Sequence, residues 1–440
     1  MLSSDRTAPT VTSGLAGAGG MRVTLAGLTR GRTSSVVISR AAVAGSGLFT
    51  VLLTSRLLSP DARGVFAALQ ASVTIMGVCG CASFWLGISV LLPQLPAARW
   101  SALVLAVSWP LFLSVLLTVL LLVFGPPAGI PFGIAGAFIA VSLPAMAYSN
   151  LQGIPIGLNR MTTYARTEVL RASTALVLVG CGMVVAGCRS PAVLVLLWGC
   201  GSWTLATCYI LAICGPYHPK RVAGFVRAAV SRSVRIHPNS VVWLAVQRLD
   251  IVVLAVLSSH AQVAYYSLGV AIAEGVWLVP GAIAITGLAD YSRLEPAEAF
   301  AVVRRNVGRT LTWSTAMAVV LLVVGSGLIL LLLSPAYHAA IAPFAITIAG
   351  TTAVSAGQAI SPWLAATLNR PGLSSLIATA TLALDMGVLV AAASLGALGA
   401  AIASSVAYLA ASGCYFAVYF RFRPLVRDAP AQRLASAPLR

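Results

Sequence analysis

Charge is the scarcest thing in this 440-residue chain: Asp, Glu, Lys and Arg together make 9% of it, where soluble domains carry roughly a quarter. Too few charged groups are present to wet a water-soluble particle of this size, which excludes a globular enzyme. Acids are the rarer kind, 10 Asp+Glu against 28 Lys+Arg for a net charge of +18, and Lys220 is the single lysine. So strong a preference for arginine suits a GC-rich bacterial genome. A basic balance raises the question of nucleic acid, but the arginines flank apolar runs instead of forming a basic face interleaved with aromatics. No nucleic-acid partner is expected. None of the eight cysteines stands in a CxxC pair, so they read as small, buried apolar residues and not as a metal or disulfide framework. There is no GxxxxGK(S/T) phosphate loop, no HExxH and no GxSxG, and His218, His237, His260 and His338 are scattered. The chain therefore reads as a non-enzyme with no cofactor and no metal. Long connections are missing as well, which leaves no room for a nucleotide-binding domain or for the sizeable outer loop of a membrane glycan polymerase.

What is abundant is apolar length. Hydrophobic residues make 59% of the chain and the mean hydropathy is +0.94. About 20 residues cross a bilayer, and on that scale twelve apolar runs are present. Six span approximately 34–57, 65–93, 101–124, 132–153, 168–188 and 191–214, and six more 239–259, 263–287, 311–334, 340–366, 373–394 and 397–420. The expected fold is an all-α polytopic membrane protein of about twelve transmembrane helices in two six-helix lobes, 34–214 and 239–420. A basic cytoplasmic linker, 215–238, joins the lobes. The Gly/Ala/Ser/Thr-rich residues 1–33 are expected to be a disordered tail, and 421–440 a basic tail near anionic lipid headgroups. With both termini cytoplasmic, 22 arginines and lysines fall on the inner side and three, Arg56, Arg63 and Arg189, on the outer. That is the positive-inside pattern of a bacterial cell-membrane protein.

The halves echo each other at an offset of 200. Leu58-Ser59-Pro60-Asp61-Ala62-Arg63-Gly64-Val65-Phe66-Ala67 follows the first span, and Ser258-Ser259-His260-Ala261-Gln262-Val263-Ala264-Tyr265-Tyr266-Ser267 follows the seventh. Six spans separate the copies, an even number, so both halves enter the membrane the same way round and a pseudo-twofold axis runs along its normal. The run from Ser55 to Phe66 resembles the first hairpin of polysaccharide-lipid flippases, the Wzx-type branch of the multidrug/oligosaccharidyl-lipid/polysaccharide (MOP) exporter superfamily, to which the MATE transporters also belong. Gln247-Arg248-Leu249-Asp250 through Tyr266 resembles the start of that family's second half. Asn159-Arg160-Met161-Thr162-Thr163-Tyr164, with Glu168 and Arg171 beyond it, resembles the inner end of its fifth span.

Charges in mid-span carry the functional information, because each costs about 2.5 to 3.5 kcal/mol at the centre of a transmembrane helix. Counting inward from the outer turn at 1.5 Å per residue, Arg248 and Glu274 both lie roughly 16 Å deep on adjacent antiparallel helices, so they are expected to pair. Asp250 is about 200° round the helix from Arg248. It is expected to share a cavity-facing polar stripe with Gln247 and Trp243. Arg40, near the inner end of span one, is read either as snorkelling to headgroups or as part of a cationic cavity, and Arg56 at the outer end as able to snorkel. Glu168 and Arg171, spaced i,i+3, are read as a local pair. Asp385, alone in its helix, is read as a titrating group or an arginine's partner. Pro110, Pro144, Pro280 and Pro362 fall inside spans, where each bends a helix. Trp100, Trp313 and Trp363 read as interface anchors. The candidate substrate pathway is therefore Arg40, Arg56, Gln247, Arg248, Asp250, Glu274 and Asp385.

The resemblance implies transbilayer flipping of a polyprenyl-diphosphate-linked oligosaccharide for cell-surface polysaccharide biosynthesis. Its implied partners are the lipid-linked oligosaccharide, membrane lipids and the glycan polymerase or export machinery. Two other readings remain open at this point: a cation-coupled exporter of small amphipathic molecules, whose cavity would be rich in acids and aromatics, and a non-transporting scaffold for glycan assembly, whose interlobe space would be plugged.

Overall fold

A computed structural model describes residues 18–125, 132–215, 219–291, 294–368 and 370–427. The described residues form helices and turns without a strand. The first lobe contains α1 (Ala18–Leu57), α2 (Pro60–Gly80), α3 (Phe84–Leu91), α4 (Arg99–Phe124), α5 (Phe132–Leu151), α6 (Gly153–Gly157), α7 (Met161–Val184), α8 (Pro191–Leu196) and α9 (Ser202–Cys214). The second contains α10 (Phe225–Leu257), α11 (His260–Ala273), α12 (Leu278–Tyr291), α13 (Pro296–Leu332), α14 (Ile341–Val354), α15 (Gly357–Ala366), α16 (Pro371–Ala391) and α17 (Ala397–Arg427). Several helices are consecutive pieces of one crossing. Eleven segments among the described residues are long and apolar enough to span a membrane. The 20-residue α5 occupies the place of the remaining expected span.

The offset of 200 survives in the fold: α1 ends at Leu57 and α10 at Leu257, and α2 and α11 start at Pro60 and His260 after the N-caps Ser59 and Ser259. Proline opens α2, α8, α13 and α16, where its missing N–H has no intrahelical acceptor to satisfy. Two boundaries differ from expectation. Helix α1 begins at Ala18, sixteen residues before position 34, because Met21 to Leu28 contains helix formers and no proline. Helix α10 begins inside the expected linker and runs through Pro238 into span seven. Its first turns join the first lobe's core through Phe225 and Ala229, and at Gly87 of α3 an added Cβ would lie 2.4 Å from the Ala229 carbonyl oxygen.

Each lobe has its own core, one around Phe84, Ile88 and Tyr148 and one around Phe300, Trp363 and Tyr419. Cysteines and tryptophans correct two expectations. Cys79, Cys181, Cys208 and Cys414 are exposed and not buried. Trp363, expected at an interface, is fully buried, with ring centroids 5.9 Å from Phe300 and 6.1 Å from Tyr419. Trp363→Ala is expected to cost about 3–5 kcal/mol and to lower the thermal unfolding midpoint in detergent sharply; an unchanged midpoint would contradict this packing. The outside of the bundle is lipid-like: Val319, Val323 and Leu331 of α13 and Leu122 and Val123 of α4 are exposed. At 37 residues α13 is about 55 Å long, beyond the roughly 30 Å of hydrocarbon, and its excess carries the exposed Arg304, Arg305 and Arg309. The chain is a multi-span membrane protein.

Candidate functional site: a charged cavity between the lobes

With α5 counted beside the eleven apolar spans the crossings are even in number, which puts the start of α1 and the end of α17 on one face, here the terminal face. At the opposite, far face the lobes are shut together. Helices α2 and α11 meet so closely that a Cβ on Gly64 would lie 1.8 Å from the carbonyl oxygen of His260. The Tyr337 hydroxyl donates to the Leu58 carbonyl across 3.4 Å, and Leu48, Val51 and Leu52 of α1 pack on a second-lobe cluster containing Phe344. Below this seal the lobes enclose a cavity of about 1140 Å³, which reaches Arg40, Asn239 and Ser374 toward the terminal face. Helices α1, α2 and α7 wall one side, and α10, α11, α12 and α15 the other.

Six charged side chains line it: Arg40, Arg63, Glu168, Arg171, Arg248 and Glu274. Both acids are held by arginine. On the first lobe, Glu168 receives Arg171 at 3.1 Å, the Tyr148 hydroxyl at 2.7 Å and the Gln152 side-chain amide, while the Arg171 guanidinium lies 5.9 Å from the Tyr148 ring centroid. On the second, Arg248 and Glu274 form a two-pronged pair, Nη1 to Oε1 at 2.6 Å and Nη2 to Oε2 at 2.9 Å. About a quarter of each of these two side chains remains exposed, toward the cavity. Arg40 and Arg63 form no ion pair among the described residues. Among the described residues the cavity thus holds two ion pairs and two further guanidiniums, of which Arg40 acts on Glu168 at longer range. Trp198, Trp203, Trp243, Trp277, Tyr148 and Tyr415 supply aromatic wall, the surface on which sugar rings and lipid chains rest without demanding hydrogen bonds.

No family model matches the chain, and no curated protein matches it. Solved structures do. A multidrug resistance MATE family transporter of the MOP superfamily, in an inward-facing conformation, aligns at a TM-score of 0.66 and 12% identity over 90% of this chain and 100% of that one. The lipid II flippase MurJ, in an inward closed conformation, aligns at 0.65 and 14% over 89% of each. A Vibrio cholerae MATE transporter aligns at 0.57 and 15% over 89% of this chain and 98% of its own. The fold is MATE-like. At such identities the likeness carries architecture alone, and substrate has to be argued from the cavity.

Within the MATE-like fold the expected pathway residues divide. Arg40, Gln247, Arg248 and Glu274 line the cavity, and Trp243 stands beside them. Arg56 does not: its Nη1 donates to the Leu332 carbonyl at the far end of α13, which fits a side chain reaching for the membrane boundary. Asp250 faces away from the cavity, correcting the expected stripe. It is 2% exposed and receives the Tyr266 hydroxyl, the Ile251 amide at 2.7 Å and the Ser404 hydroxyl at 3.2 Å. Asp385 is also interior to the second lobe, fully buried, and its Oδ1 lies 3.3 Å from the same Ser404 hydroxyl, whose one proton serves either carboxylate. Its partner is therefore this shared serine and not an arginine. Sequence reasoning missed Arg63, which it placed in an outer turn; its only mark was Phe66, one helical turn on.

Proposed function

We propose that this chain moves a polyprenyl-diphosphate-linked oligosaccharide across the bacterial cell membrane by alternating access, with its terminal face in the cytoplasm. The observation that carries the reading is the cavity's charge: four arginines and two glutamates, with both glutamates engaged, so that the net field favours an anion. Each hydroxyl taken into hydrocarbon without a partner costs about 4–8 kcal/mol, so an oligosaccharide cannot cross unaided. A polar cavity shut at one end removes most of that barrier, while the polyprenyl tail stays in the bilayer outside the lobes. Moving one uncompensated negative charge out of a negative interior gains about 2.3 kcal/mol per 100 mV. The flipped headgroup is then presented to glycan polymerase or export machinery at the outer face. An interlobe space this open does not suit a scaffold without transport.

The test is reconstitution with a fluorescent lipid-linked oligosaccharide and a measure of its exposure on the trans side of the vesicle. Protein-dependent exposure that grows with a potential negative on the terminal-face side is expected; none would end this reading.

One observation favours a second reading, a cation-coupled exporter of small amphipathic molecules. Asp250 and Asp385 share one serine hydroxyl in the dry interior of the second lobe, and two neighbouring acids there are a place for a proton or a small cation. Such coupling is compatible with either substrate, whereas the cavity's surplus of arginine is adverse to a cationic drug.

A further inference from the structure

The two cavity arginines outside these ion pairs stand at opposite ends of the cavity. Arg40 is near the terminal face on α1, and Arg63 is in the first turn of α2 beneath the far-face seal. Counting along both helices at 1.5 Å per residue separates them by roughly 20 Å along the membrane normal. The Glu168–Arg171 pair stands beside Arg40, whose charge acts on Glu168, and the Arg248–Glu274 pair lies on the cavity wall between Arg40 and Arg63.

Arg63 is the stranger of the two. It is 1% exposed, and its Nε and Nη1 have no hydrogen-bond partner. Its neighbours are the Phe66 ring, 5.6 Å from the guanidinium carbon, and the Tyr337 hydroxyl. No carboxylate pairs with it among the described residues. Asp61, two positions earlier on α2, forms no ion pair with it, although its charge reaches the same Tyr337. A guanidinium keeps its charge in proteins, and a buried charge without a partner is heavily penalised. A purely structural position would be filled better by leucine or methionine. Ser55 and Tyr337, whose hydroxyls face one another, add hydroxyls at the same closed end.

We propose that Arg63 is a second anion station: a site for a phosphate or diphosphate group at the far end of the cavity, occupied after Arg40 has loaded it and before the far face opens. This deepens the flippase reading and rests on it for the direction of movement. The station takes phosphoryl oxygens, whether carried on a lipid or free in water. A fork of N–H donors suits them better than an ammonium does.

The test uses the full chain. Native mass spectrometry counts farnesyl diphosphate bound to the wild type, Arg63→Gln, Arg63→Lys and Arg40→Gln, with inorganic pyrophosphate and farnesol as separate arms. Two farnesyl diphosphates are expected on the wild type and on Arg63→Lys, and one on each glutamine variant. Pyrophosphate displacing the Arg63-dependent ligand identifies a station open to free anions; failure to displace it identifies one that requires the lipid. Either supports the station, whereas farnesol filling the same site would overturn it. In proteoliposomes, Arg63→Gln is expected to lower the saturating flux of lipid-linked oligosaccharide about tenfold, the size of a lost charged hydrogen bond, without moving its half-saturating concentration. Arg40→Gln should raise that concentration instead. A merely structural role would lower the melting temperature and slow Arg63→Gln and Arg63→Lys alike, with two ligands still bound, and would overturn the assignment. Arg63-dependent ligand binding in a wild type that moves no glycolipid would end the flippase reading and leave the station standing.

Discussion

Gly64→Ala is expected to prevent the far face from closing. The methyl would fall 1.8 Å from a backbone oxygen, that of His260. No side-chain rotation relieves this, so α2 and α11 must separate by more than an ångström. Overpacking of a tight contact costs about 1–3 kcal/mol. The closed far face and its open counterpart share one equilibrium, so that cost shifts the ratio between them by roughly five- to 150-fold. Spin labels on the α1–α2 and α10–α11 turns should report a longer and broader distance distribution, and flux should fall because the terminal-open state is depleted. Labels at the wild-type distance with wild-type flux would mean that this contact is not part of the seal. The same substitution should expose Arg63 to water-soluble reagents, since it lies one residue away beneath the closure.

How much of this was readable beforehand depends on whether a feature is local or needs three dimensions. The hairpin offset was legible to the residue, because helix starts are set by Ser59-Pro60 and Ser259-His260 themselves. The Arg248–Glu274 pair was legible because antiparallel neighbours with equal depth have one geometry available. Periodicity also placed Asp250 opposite Arg248 correctly, but it does not say which side of a helix faces the cavity when protein surrounds both. Asp250 looks into the second lobe, at Tyr266 and Ser404. Arg63 and Trp363 were misread for a common reason: arginine beside a turn and tryptophan near a span end normally mark a membrane boundary, and only tertiary packing shows that both are buried. The polar cradle of Glu168 was half visible, since the i,i+3 arginine is local while Tyr148 comes from the end of α5 and Gln152 from its junction with α6.

Breaking the mid-depth ion pair is expected to separate the two candidate substrates. Arg248→Ala leaves Glu274 as an unpaired anion on the cavity wall. At 8 Å and an effective dielectric of 20, two unit charges interact by about 2 kcal/mol, so a diphosphate passing Glu274 meets a barrier worth roughly thirtyfold in rate per charge. Flux of lipid-linked oligosaccharide should fall by at least that factor, while an amphipathic cation should be bound better than by the wild type. Glu274→Gln acts the other way: Arg248 becomes a third free cation, the headgroup is held more tightly, and flux at saturation falls together with the half-saturating concentration. The double variant Arg248→Ala/Glu274→Gln restores neutrality at that depth and should recover most of the flux. Its non-additivity is expected within the 0.5–3 kcal/mol typical of contacting residues. If Arg248→Ala leaves glycolipid flux untouched and the double variant merely sums the single effects, the pair is an anchor between α10 and the Glu274–Trp277 turn after α11, and the anion passes elsewhere. If instead Arg248→Ala confers export of the cation without loss of glycolipid flux, the charge of this wall does not select the substrate, and the reading built on it falls.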